Sequence, residues 1–137
     1  MSNTEQHAKQ QYIGGQWVDS QGGKEHQVIN PATEETANTV IMGTAADVDA
    51  AVKAAKEAFK TFSQTSREDR LALMGRIVEE LKKRSDDLAK AMSAEMGAPI
   101  SFASTAQVGA CIGGFLGTIA ALKDFSFTEK HGANTVA

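Results

Sequence analysis

The stretch TAADVDAAVKAAKEAFKTF, at Thr44–Phe62, carries the strongest structural signal in this chain. Thr44 lies three residues before Asp47, which is the spacing of a helix capping box with Asp in the position usually held by Glu or Gln. The apolar residues that follow recur at helical spacing along one face: Val48, Val52, Ala55, Phe59 and Phe62. The stretch therefore predicts an amphipathic helix that begins after Thr44.

Three further helices are expected after this stretch. Ser66 repeats the capping signature with Asp69, and another apolar stripe follows it. Ser85 is expected to cap the third helix, which should end at Gly97 because glycine commonly terminates helices. The fourth helix is predicted from about Ser101 to Leu122, a segment without a charged residue.

Short β-strands are expected on both sides of the helices. Runs of β-favouring residues are separated by Gly-Gly pairs and by an Asn-Pro turn, which are the signals of a β-meander. In chain order, the expected elements are a flexible tail at residues 1–11, a hairpin at Tyr12–Val18, strands at His26–Ile29 and Thr36–Met42, and weak strand character at Asn134–Val136.

Composition limits the partners and the compartment. The chain has a formal net charge of -3, with acids and bases mixed along its length, so nucleic acid is not an expected partner. Its single cysteine, Cys111, cannot form an internal disulfide, and the first residues lack the basic and apolar regions of a secretory signal. A cytoplasmic location is therefore expected.

One segment is long enough to raise the question of a membrane span. Ala98–Leu122 is uncharged over 25 positions, which could cross a bilayer. Polar residues and glycines dilute it, and no basic flank precedes it: Ser101, Ser104, Thr105, Gln107, Gly109, Gly113, Gly114, Gly117 and Thr118. A buried helix with a glycine face is favoured, and no membrane partner is expected.

The residues alone do not predict an active site. Cys111 is flanked by small and apolar residues that offer no base to activate it, so it is predicted to be buried inside the fourth helix. The three histidines, at His7, His26 and His131, show no metal-ligand spacing. Neither of the common glycine-rich phosphate-loop patterns occurs. No catalytic and no cofactor-binding residue is expected in this chain.

Five short motifs occur in order between Tyr12 and about Ala137. They are YIGGQWV at Tyr12–Val18, VINPAT at Val28–Thr33, ADVDAAV at Ala46–Val52, RLALM at Arg70–Met74 and EMGAP at Glu95–Pro99. This ordered set resembles the opening of the aldehyde dehydrogenase superfamily. Two positions depart from the family pattern: Glu34 stands where glycine is frequent, and Phe62 where tryptophan is frequent. Both departures should affect turn geometry or packing.

The resemblance implies an α/β, aldehyde-dehydrogenase-like fold, in which residues 12–137 form the N-terminal β-hairpin or meander and about four helices of an incomplete Rossmann-like cofactor domain. It implies a cytoplasmic, homo-oligomeric parent enzyme that oxidises a small-molecule aldehyde with NAD or NADP through a cysteine thioester. The family's catalytic and cofactor-binding residues belong downstream, so this chain alone is expected to be inactive. The alternative is a stand-alone helical interaction module that kept the fold without the chemistry.

The resemblance also implies one site within the chain. Some family members hold a structural Na+ or K+ ion with two backbone carbonyls and an acidic side chain, at positions that correspond here to Val28, Ile29 and Glu95. Oxygen ligands suit a hard cation. Glu95 is equally consistent with a solvated or helix-capping residue.

Overall fold

Two β-hairpins precede four helices, and a third hairpin follows them, in the computed structural model, which describes residues 7–136. The strands are β1 (Gln10–Ile13), β2 (Gln16–Asp19), β3 (Glu25–Ile29), β4 (Thr36–Ile41), β5 (Glu129–His131) and β6 (Asn134–Val136). The helices are α1 (Ala45–Phe62), α2 (Arg67–Lys83), α3 (Ser85–Met96) and α4, which is continuous over Ile100–Asp124. The mixed α/β class is confirmed.

Each hairpin forms its own two-stranded antiparallel sheet within the described residues: β1 with β2, β3 with β4, and β5 with β6. In the first hairpin Tyr12 pairs with Trp17. The turn between them holds Gly14 at φ 62° and Gly15 at φ 83°, which are the positive values that a tight two-residue hairpin turn requires. The turn predicted at this glycine pair is confirmed.

The first hairpin begins earlier than the sequence indicated. β1 starts at Gln10, so the expected tail at residues 1–11 is wrong at its C-terminal end, and residues 1–6 lie outside the described part. The ring of His7 stacks on Trp17 with centroids 4.4 Å apart, and the Gln10 amide donates to Asp19 Oδ1 at 3.0 Å. These cross-strand contacts extend order toward the N-terminus.

Both predicted capping boxes are present. The Thr44 hydroxyl accepts from the Asp47 backbone N–H, and the Asp47 carboxylate accepts in return from the Thr44 N–H. Ser66 and Asp69 make the same reciprocal pair at the start of α2. Each pair satisfies backbone donors that the first helical turn leaves unpartnered. The starts of α1 and α2 were therefore predicted correctly.

The prediction that Ser85 caps α3 is wrong. Ser85 is the first residue of α3, and the preceding N-cap position belongs to Arg84, which makes no side-chain cap bond. Only Arg84 separates α3 from α2, at φ -105° and ψ 16°. Side-chain capping needs an extended residue before the helix, and this tight connection does not provide one.

The core is small and lies between α2, α3 and α4. Ala89, Ala103 and Val108 form a cluster where α3 meets the first turns of α4, and Val78 of α2 is also buried. Ala103 begins a π-helical segment of α4, Ala103–Gln107. A wider turn of this kind displaces the residues that follow it around the helix axis. Both residues of α4 in the core cluster, Ala103 and Val108, lie at this segment.

Much of the predicted core surface is exposed. The stripe of α1 is open at Val48, Val52, Phe59 and Phe62. α4 is long and apolar enough to cross a bilayer, and only 6% of its most apolar window is buried. The expectation that α4 is a buried helix is therefore wrong within this chain. The cause is that the described residues contain only two-stranded sheets, which cannot cover both helices.

Candidate functional site

The turn between β3 and β4 is built around Asn30. Its side-chain Oδ1 accepts from the Ala32 N–H at 2.9 Å, its carbonyl accepts from the Glu34 N–H at 2.8 Å, and its own N–H donates to the Glu35 carbonyl at 2.9 Å. These bonds hold Glu34 at φ 60°, in the left-handed region that favours glycine. Glu34 therefore occupies a turn position whose backbone conformation suits glycine.

This turn lies against the end of α3. Gly97 ends the helix at φ 70°, as the sequence predicted. A Cβ atom added at Gly97 would lie 3.0 Å from Cγ of Pro31, which shows how closely the proline ring approaches the backbone at the end of the helix. The contact brings two distant motifs together, because Ile29 lies two residues before Pro31 and Glu95 two residues before Gly97.

The expected cation ligands therefore belong to two segments that meet. A β-bulge interrupts the pairing of β3 with β4 between Val28 and Ile29, and bulges locally disrupt the ladder of backbone hydrogen bonds. The Glu95 side chain is exposed. Within residues 7–136, no group of three or more His, Cys, Asp or Glu side chains could hold a metal. A site here would rest mainly on backbone carbonyls, which suit a hard cation.

Cys111 is exposed on α4, so the prediction of a buried thiol is wrong for this chain. The helix turns Val108 and part of Ile112 toward the core cluster, which leaves Cys111 on an uncovered face. The glycines of α4 are also open, because a Cβ added at each would meet no neighbouring group within 4 Å: Gly109, Gly113, Gly114 and Gly117. The predicted glycine face exists, and no described element packs on it.

A buried carboxylate joins the first hairpin to the helical part. Asp47 is 4% exposed, and it accepts from the Ser20 hydroxyl, from the Gln21 N–H at 3.0 Å and from the Thr44 N–H at 2.8 Å. These hydrogen bonds, that of Ser20 foremost, hold the pKa of Asp47 well below its ordinary value, and the opposing effect of burial is smaller. The sequence indicated only the capping role of Asp47.

The acidic pair on α2, Glu79 and Glu80, is solvated. Glu79 pairs with Lys82 at 3.0 Å and Glu80 pairs with Arg84 at 2.6 Å, all four on the surface. The hydrogen bond from Arg84, and then the charge of Lys83, lower the pKa of Glu80. Exposed pairs of this kind contribute little to stability. They offer no acid–base site.

The described residues therefore form a scaffold with open apolar faces, in which the Asn30 turn meets the end of α3. Residues 17–134 match the sequence pattern of the aldehyde dehydrogenase family. The chain belongs to the aldehyde dehydrogenase family. It is 41% identical over 126 residues to the 3-succinoylsemialdehyde-pyridine dehydrogenase of a Pseudomonas species. That alignment covers 91% of this chain and 26% of the relative.

Solved aldehyde dehydrogenases share this fold. Aldehyde dehydrogenase C (AldC) of Pseudomonas syringae, crystallised as a C291A mutant with NAD+ and octanal, superposes with a TM-score of 0.91 at 39% identity, covering 95% of this chain and 27% of that one. The enzyme of Bartonella henselae gives 0.86 at 41% identity, covering 88% and 25%. The chain thus spans about a quarter of the length of the aldehyde dehydrogenases that it matches.

Family membership confirms the resemblance seen in the sequence. The chain corresponds to the N-terminal portion of an aldehyde dehydrogenase, and the alternative of a stand-alone helical module is not favoured. Within this portion, sequence reasoning missed the Asp47 network and the exposure of Cys111. Both depend on contacts between residues far apart in the chain, and no local sequence pattern signals such contacts.

Proposed function

We propose that the chain is the N-terminal part of an NAD(P)+-dependent aldehyde dehydrogenase that oxidises a small-molecule aldehyde to the acid through a cysteine thioester. The observation that carries the proposal is the superposition, at a TM-score of 0.91, on a quarter of an enzyme crystallised with NAD+ and octanal. When bound, the nicotinamide accepts the hydride from the substrate. The sequence of this chain offers no phosphate loop for the cofactor, so no step of the reaction is assigned to its residues.

The role of this chain in the enzyme is structural. Its hairpins and helices would cover one side of the cofactor domain, with the open faces of α1 and α4 seated on the remaining part. The exposed apolar side chains at Val52, Phe59 and Leu116 are then interior residues of the larger protein. Placing these faces against protein also removes the need for a lipid partner for α4.

The surface area supports this arrangement. The chain exposes 10079 Å² of accessible surface. A compact monomer of its 14.5 kDa mass would expose roughly 6,900 Å². The excess is on the order of 3,000 Å² on this chain alone, or roughly 6,000 Å² when both contacting surfaces are counted, which is the size of a large obligate interface. A surface of this size is therefore expected to be covered in the functional protein.

Three finer features belong to the same proposal. The bulge at Val28 and Ile29, together with the Pro31–Gly97 contact that brings the end of α3 near, supports a structural Na+ or K+ site completed by Glu95. The absence of a disulfide-forming pair is compatible with a cytoplasmic enzyme. A homo-oligomer is proposed from the family resemblance.

A chimaera tests the proposal directly. Residues 1–137 of this chain would replace the corresponding N-terminal quarter of Pseudomonas syringae AldC, with its active-site cysteine intact, and octanal-dependent NADH formation would be measured. The chimaera should be soluble and active, whereas the 137-residue chain alone should form no NADH. A soluble, folded chimaera without activity would contradict the proposal.

Two variants of the chimaera locate the interface. Leu116→Asp places a charge on the open face of α4 and should abolish soluble assembly, because burying an unpaired charge is strongly unfavourable. Lys90→Asp changes an exposed residue of α3 and should leave activity near that of the parent chimaera. Equal solubility and equal activity of the two variants would show that the face of α4 is not covered.

A further inference from the structure

Arg67 connects the start of α2 to the end of α4. Its guanidinium donates to the carbonyl oxygen of Lys123 at 3.2 Å and to that of Phe125 at 2.5 Å. The last carbonyls of a helix have no partner within the helix, and the fork of an arginine supplies two donors at once. One side chain therefore ties the terminus of α4 and the first residue beyond it to α2.

Aromatic rings complete this contact. The Arg67 guanidinium carbon lies 5.9 Å from the ring centroid of Phe127, and that of Arg70 lies 5.8 Å from the same centroid. Phe127 meets Phe125 edge to face, with centroids 5.1 Å apart. Arg70 is itself fixed, because it donates to the Thr65 hydroxyl at 3.0 Å. Two arginines of α2 therefore contact the segment 125–127.

The positive charge of Arg67 is unfavourable at its position in α2. It is the first residue of α2, where the helix dipole disfavours a positive charge. The same charge is favourable beside the carbonyls that end α4. Its Nε atom is buried without a hydrogen-bond partner. The contacts to the segment beyond α4 must offset both unfavourable features.

Hairpin β5–β6 makes few contacts of its own that could fix its direction. Its two strands pair with each other, and neither makes an extensive contact with any helix among the described residues. Every residue of β5 is exposed. Its orientation therefore depends on the segment that connects it to α4, which is the segment that Arg67 holds.

We propose that Arg67, with Phe127, forms a latch that fixes the direction in which the chain leaves α4 and so positions hairpin β5–β6. Releasing the latch frees the hairpin while the helices stay folded. The latch is a positioning device that is independent of the chemistry proposed for the larger enzyme.

Hydrogen–deuterium exchange of the soluble chimaera with AldC tests the latch, because the isolated chain is expected to be marginally stable. Arg67→Ala removes both carbonyl contacts, and Phe127→Leu keeps apolar bulk while removing the aromatic ring. Arg67→Ala should speed amide exchange across residues 125–136 by roughly tenfold or more, because it removes two charge-assisted hydrogen bonds. Phe127→Leu should speed it by roughly threefold, because it removes cation–π contacts at an exposed site. Arg67→Lys should give a smaller increase, because lysine lacks the two-donor fork.

Arg76→Ala is the matched control, since Arg76 is an exposed arginine of the same helix. It should leave exchange in residues 125–136 unchanged. The latch is supported if exchange rises only in this segment for Arg67→Ala and Phe127→Leu. It is overturned if neither variant changes the segment, or if α2 and α4 lose protection to the same extent as the hairpin in both.

Discussion

Replacing Glu34 by glycine should stabilise this protein. Glu34 is the non-glycine residue held at positive φ among the described residues, at 60°. The backbone bonds of the Asn30 turn impose that conformation, since the Glu34 N–H donates to the Asn30 carbonyl at 2.8 Å. Glycine adopts the same conformation without a clash between Cβ and the backbone.

The expected magnitude follows from two opposing contributions. A residue with a Cβ atom loses roughly 1–2 kcal/mol in the left-handed region. Glycine loses roughly 0.5–1 kcal/mol more than other residues in backbone entropy when it folds. At the middle of these two ranges the difference favours Glu34→Gly by about 0.7 kcal/mol.

Urea denaturation of the chimaera with AldC, followed by circular dichroism, measures this difference. Glu35→Gly is the matched control: Glu35 is also an exposed glutamate of the turn, and it does not have positive φ. It should destabilise by about 0.5–1 kcal/mol. The reasoning is refuted if the two glycine variants shift the midpoint in the same direction.

Three further outcomes are expected. The hydrogen bonds of Asp47 depress its folded-state pKa, so its stabilising effect is present above its ordinary pKa of 3.8 and is lost as the pH falls further. The free energy of unfolding should therefore fall less steeply with acid in Asp47→Asn than in the parent protein, and an equal dependence on pH would contradict this. Cys111 should react with a thiol reagent almost as fast in the folded chain as in denaturant, and much more slowly in the chimaera; slow labelling of the isolated chain would show that its face of α4 is covered. The isolated chain should self-associate or melt without cooperativity in size-exclusion and thermal experiments; a monodisperse monomer melting above ~60 °C would show an autonomous domain instead.

The sequence predicted features that neighbouring residues specify. Capping at Thr44 and Ser66 was correct because both partners of each box lie within one helical turn. The hairpin at Gly14-Gly15 and the end of α3 at Gly97 were correct because glycine is the residue that readily takes positive φ. Ser85 shows the limit of this reasoning, because a serine caps a helix only when its own backbone is extended, and Ser85 already lies within α3.

Features that depend on distant contacts could not be predicted. Asp47 has a capping-box pattern, yet the hydrogen bond that lowers its pKa most comes from Ser20, 27 residues earlier. The neighbours of Cys111 suggested burial, because small apolar residues usually surround buried cysteines. Whether that face is buried depends on what packs against α4. The proposed cation position also depends on a distant contact, because Pro31 and Gly97 bring β3 close to α3.

The exposed features of this chain share one physical cause. An isolated two-stranded hairpin is marginally stable in water, and an amphipathic helix gains most of its stability from packing its apolar face. β3–β4 lacks a third strand in the described residues, and the faces of α1 and α4 lack a sheet to cover them. Added strands would meet both needs together, by pairing with the hairpin edges and by presenting an apolar face to the helices. A chimaera that restores them should therefore protect Leu116, Cys111 and the α1 stripe in one cooperative step, whereas separate contacts would protect them one at a time.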